Sequence, residues 1–218
     1  MRIPVTGADL GADAVVPNDA KGVVLFAHGS GSGRLSPRNR QVAAALQDAG
    51  LATVLADLLT AEEEQIDVRT RHLRFDIDLL CSRLVAITDW VRAESPASGL
   101  AVGLFGASTG AAAALKAAAE APDAYQAVVS RGGRPDMAGA ALCSVRAPTL
   151  LIVGSLDPSV VDLNQEAFEK LTGTRHLQIV PGASHLFEEP GALAEVARLA
   201  RDWFQRHLAG GSDVPSKG

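Results

Sequence analysis

Ser108 stands in the run Gly106-Ala107-Ser108-Thr109-Gly110. Glycines two before and two after a serine suit a sharp turn between a strand and a helix, because larger side chains there would collide. Such a turn exposes the hydroxyl and aims the next backbone N–H into the site. The chemistry it suggests is nucleophilic attack on a carbonyl. A serine hydroxyl is a poor nucleophile at neutral pH and needs a base, and the base needs an acid to orient it. Asp157 follows the apolar run Thr149–Val153, and His185 follows Leu177–Val180. The order Ser, Asp, His behind a turn of this kind makes Ser108 the candidate nucleophile, His185 the base and Asp157 the orienting acid. Asp162 and Glu188 rank below Asp157 as acids. His72, His176 and His207 rank below His185 as bases.

Attack on a carbonyl creates a negative oxygen, which two backbone N–H groups can hold at about 3–4 kcal/mol each. Thr109 is expected to give one. The other is expected from His28-Gly29-Ser30-Gly31-Ser32-Gly33, from Ser30 with Gly31 as the alternative. His28, Gly29 and Gly31 are expected along the substrate, with His28 bracing the loop in preference to competing with His185 as the base. The glycine run does not complete a dinucleotide fingerprint, because the third glycine position is Arg34, and no phosphate loop occurs elsewhere. Nor do His and Cys recur at metal-binding spacing. The reading calls for no cofactor and no metal. Arg131 and Arg134, in Arg131-Gly132-Gly133-Arg134, are candidates to bind an acidic group of a substrate, against the alternative of ordinary ion pairs.

These residues need a scaffold that brings them to one edge. Gly22–Ala27, Ala52–Ala56, Leu100–Phe105, Ala127–Ser130, Thr149–Val153 and Leu177–Val180 are short apolar runs of the kind that fill a parallel sheet covered on both faces. Arg2–Val5 and Asp13–Val16 suggest an antiparallel hairpin at its edge. Apolar residues recur at helical spacing from Phe75 to Val91 and from Leu193 to Phe204. Strand and helix alternate five or six times, which predicts an α/β fold with helices on both sheet faces. In such sheets ligands bind beyond the carboxyl ends of the strands. Ser108, Asp157 and His185 all follow strands at that edge.

Composition narrows the class. The chain has 218 residues, 47 % of them apolar, and a net charge of −5. One domain over residues 1–209 is expected, with 210–218 as a flexible tail. Lys and Arg form no basic stripe, so nucleic acid is not an expected partner. No apolar run is long enough to span a bilayer, and the N-terminus lacks a signal-peptide core. Cytoplasmic location is the expectation. Cys81 and Cys143 are too few for a disulfide framework and are expected to be buried free thiols.

Taken together, these motifs resemble the α/β-hydrolase superfamily, and within it the dienelactone hydrolase-like group. The resemblance runs from His28-Gly29 through Ser108, Asp157 and His185 to the last helix. Leu58-Leu59-Thr60, Phe75 to Leu80 and Arg131 to Asp136 are also similar to bacterial hydrolase-like proteins, some fused to a phosphoribosyltransferase domain. No such domain is read in these residues. The resemblance implies a mostly parallel sheet of about eight strands without a large cap. True dienelactone hydrolases carry cysteine as nucleophile, whereas this chain has Ser108. The expectation is therefore a serine esterase acting on small acyl esters. Thioesterase, lactonase or acyltransferase chemistry with the same triad is the alternative. A non-catalytic binding or regulatory module is the alternative of another class. The expected partner is a small ester, and a homodimer is left open.

Overall fold

A computed structural model describes residues 1–208. The expected tail, 210–218, lies outside the described residues. Eight strands form one sheet: β1 (Arg2–Val5), β2 (Ala8–Val15), β3 (Val23–Ala27), β4 (Ala52–Ala56), β5 (Val102–Ala107), β6 (Ala127–Arg131), β7 (Thr149–Gly154) and β8 (Arg175–Val180). Their order is β1-β2-β4-β3-β5-β6-β7-β8. The strands β1 and β2 pair antiparallel, as does β2 with β4, and all other pairs are parallel. Six α-helices accompany them: α1 (Pro37–Asp48), α2 (Ala61–Thr70), α3 (Ile77–Glu94), α4 (Thr109–Glu120), α5 (Pro158–Lys170) and α6 (Ala192–Leu208). A kinked 3-10 segment spans Pro135–Ser144.

The five strands β3 to β7 are buried along their whole length. Alternate side chains feed two cores. On one face Leu25, Val54, Leu104 and Leu151 pack with Leu84, Ile87 and Leu115 of α3 and α4. On the other, Val24, Phe105, Val129 and Ile152 pack with Leu46 of α1 and Phe204 of α6. This is the period of two in a strand serving two layers at once.

Two expectations need correction. The second strand is Ala8–Val15 rather than Asp13–Val16. It is an edge element of mixed burial whose Ala, Asp and Gly content hides the alternation. Cys81 is buried, but Cys143 is exposed. The segment around Cys143 turns Ala138 and Leu142 inward, four residues apart. Cys143, one residue further on, therefore faces out.

Candidate active site

Ser108 sits between β5 and α4 with φ +51° and ψ −121°, a conformation that costs a non-glycine residue energy. Neighbouring chains hold it there. Its N–H donates to the Arg131 carbonyl at 3.2 Å, and its carbonyl accepts from the Arg134 N–H at 3.1 Å. Glycine is required on both sides. A Cβ at Gly106 would meet the backbone of Ala111, and one at Gly110 would meet the carbonyl oxygens of Ala27 and His28. The steric cause inferred from the spacing of these glycines is thus present.

Asp157 occupies the position before α5, where aspartate often caps a helix. Here its side chain makes no cap bond. Its Oδ2 instead meets His185 Nδ1 at 2.7 Å. His185 lies in a loop whose Ser184 N–H donates to Glu189 Oε2 at 3.0 Å. A Cβ at Gly132 would lie 3.6 Å from His185 Cε1. Because Ser108 is hydrogen-bonded to residues 131 and 134, the same short turn touches both the hydroxyl-bearing residue and the imidazole.

The Gly-rich loop packs on the other side of Ser108. A Cβ at Gly29 would lie 3.0 Å from Ser108 Cβ. Ser30 Oγ is 3.1 Å from Thr109 Oγ1, so the loop is tied to the first residue of α4. The first N–H groups of a helix have no partner inside it. The negative oxygen of a reacting carbonyl would be a fitting partner there. His28 is buried: Nδ1–H donates to the Gly29 carbonyl at 3.1 Å, and Nε2 accepts the Leu58 N–H at 2.9 Å. Burial lowers its pKa below the ordinary 6.5, which keeps the ring neutral and the loop braced.

A pocket beside the Gly-rich loop, whose lining does not include Ser108, Asp157 or His185, brings in residues not singled out in the sequence. Asp57, Asp67 and Arg74 line it together with His28–Ser32 and Thr109. Asp57 accepts the Arg34 N–H at 2.8 Å and pairs with the Arg34 guanidinium. It directly follows β4, so the strand-end rule could have found it. Asp67 is 2 % exposed and pairs with Arg74 at 2.5 Å. Burial disfavours its charge, but hydrogen bonds from Arg74 outweigh this and hold the carboxyl below its ordinary range. Of the two arginines picked out earlier, Arg134 is paired through Nε and Nη2 with Asp136 at 2.8 and 2.7 Å. Arg131 is buried against Asn39 and Phe187. The lower-ranked Glu188 pairs with Arg38 at 3.2 Å. His72 precedes the 3-10 turn Leu73–Phe75, His207 lies on α6, and His176 is inside β8.

Sheet order, layers and the strained serine after β5 define an α/β-hydrolase fold without a large cap among the described residues. Comparison with known proteins narrows this. The model of the dienelactone hydrolase family matches residues 10–209, and the chain belongs to that family. A dienelactone hydrolase from Anabaena variabilis is 60 % identical in its crystal structure, with a TM-score of 0.94, over 95 % of this chain and 96 % of that one. Est1E from Butyrivibrio proteoclasticus shares the fold at 16 % identity and a TM-score of 0.79, over 96 % of this chain and 98 % of that one. A Mycobacterium tuberculosis protein, provisionally named a phosphoribosyl transferase, is 55 % identical over 208 residues, 95 % of this chain. The chain spans 45 % of that relative's length. Family and fold support an enzyme of the hydrolase class. No helix among the described residues is long and apolar enough to cross a membrane.

Proposed function

We propose that this hydrolase is a serine esterase that cleaves small acyl esters through Ser108, His185 and Asp157. The observation that carries the reading is the 2.7 Å bond from Asp157 to His185 Nδ1, at the rim where the strained Ser108 emerges. In the proposed cycle Asp157 stays ionised and keeps the His185 proton on Nδ1, leaving Nε2 as base. Ser108 Oγ attacks the ester carbonyl while His185 takes its proton. The oxyanion rests on the N–H of Thr109 and on that of Ser30 or Gly31. His185 then protonates the departing alcohol. Water, deprotonated by His185, releases the acid and restores Ser108.

The decisive test is labelling with a fluorophosphonate probe, followed by turnover of a panel of esters, thioesters and lactones. Ser108 is expected to be the labelled residue, with esters of short acids turned over best. Ser108→Ala is expected to lose labelling and about three orders of magnitude in turnover. Absence of labelling in the folded wild type would point to a non-catalytic module. Labelling with thioesters or lactones preferred would move the substrate class and keep the triad.

A further inference from the structure

Arg131 is 5 % exposed, yet no carboxylate forms an ion pair with it among the described residues. Its Nη2 makes one long bond of 3.4 Å to Asn39 Oδ1, and its Nε is buried without a partner. The nearby Arg38 adds like charge, itself pairing with Glu188. A buried guanidinium in this state is expensive, and an apolar side chain of similar length often gives a fold at least as stable. Stability alone does not account for an arginine here.

Its surroundings do. The guanidinium lies over the ring of Phe187, 5.9 Å from its centroid, where the electron-rich face attracts a cation. Phe187 is two residues beyond His185, is 1 % exposed and has φ +57°. A left-handed backbone is unfavourable for a bulky residue and must be imposed by its neighbours. Phe187 closes the turn around His185 through its N–H to the Ser184 carbonyl at 3.2 Å. The Arg131 carbonyl meanwhile accepts the Ser108 N–H. Gly132 lies between the two: a Cβ there would be 3.0 Å from the His185 carbonyl oxygen and 3.5 Å from the Phe187 ring.

We infer that Arg131 is a positioning residue, its backbone fixing Ser108 while its guanidinium pins Phe187 and so sets the place of His185 relative to the nucleophile. This rests on the triad reading above. It gives Arg131 a role inside the protein instead of a contact with substrate. A small displacement of a catalytic base is enough to slow turnover strongly.

The experiment compares wild type with Arg131→Met, Arg131→Lys, Phe187→Leu and the Arg131→Met/Phe187→Leu double variant. Fluorophosphonate labelling of the wild type comes first, and its failure would count against the triad reading itself. Given labelling, Arg131→Met is expected to lower kcat roughly 10- to 100-fold with KM within about twofold and no fall in melting temperature. Phe187→Leu should show a similar kcat loss, and the double variant should lose little more than either alone, because both break one contact. Arg131→Lys should recover part of kcat by restoring a cation. Wild-type kcat in Arg131→Met would overturn the inference, as would independent, multiplying losses in the double variant. If Arg131→Met does not fold, Arg131→Lys and Phe187→Leu decide: normal kcat in folded Phe187→Leu rejects the proposal.

Discussion

His28 shows how much one residue's role depends on its partners. Its two ring nitrogens are both used, one donating to Gly29 and one accepting from Leu58, so only the neutral ring fits. Burial lowers its pKa in the folded protein. Below the ordinary value of 6.5 the unfolded chain therefore takes up more protons than the folded one, and stability falls with pH. Above that value the contribution is complete. Urea unfolding at stepwise lower pH should show this decline beginning near 6.5, and His28→Gln should show a shallower one. Equal slopes in the two proteins would remove His28 as the cause. Asp157 teaches the same lesson. Its position before a helix suited an ordinary cap, and only the placement of His185 shows that the carboxylate is used elsewhere.

At the level of elements, the junction of β5 with α4 is tightly constrained. Gly110 lies where the carbonyl oxygens of Ala27 and His28 leave no space for a side chain. Replacing it by alanine forces apart the helix, which carries Thr109, and the end of β3, which leads into the loop holding Ser30 and Gly31. Gly110→Ala is expected to cost about 3 kcal/mol of stability and most of the turnover, measured by denaturant unfolding and ester hydrolysis. An unchanged protein would mean that this junction is looser than its contacts imply. These glycines were legible because sterics acts at fixed sequence spacing. The helices α1, α2 and α5 were not delineated in the sequence. The helix α2 has one buried residue, Asp67, so it carries no apolar stripe. Its start is instead set by a capping box in which Thr60 accepts from Glu63 N–H while Glu63 accepts from Thr60 N–H.

Over the whole molecule, two cores share one sheet. Trp90 packs against the α3/α4 side and Trp203 belongs to the α1/α6 side. Because alternate residues of each central strand serve opposite layers, neither layer can be lost while the other keeps its sheet. Thermal unfolding should therefore be a single transition. In Trp203→Phe the fluorescence of Trp90 should follow that variant's own far-UV circular dichroism, and Trp203 should do so in Trp90→Phe. Separate midpoints would show that the layers unfold independently.

The amino-acid order alone determined the parallel architecture, the turn at Ser108 and the placement of Asp157 and His185 after strands, because periodicity and steric exclusion operate over a few neighbouring residues. Folding in three dimensions decided which partner each polar group takes: Asp157 with His185, Asp67 with Arg74, and Arg131 with a ring in place of a carboxylate. The first and last of those pairings join residues far apart in the chain, and the energy of a buried charge depends on the groups packed around it, which no local stretch of sequence contains.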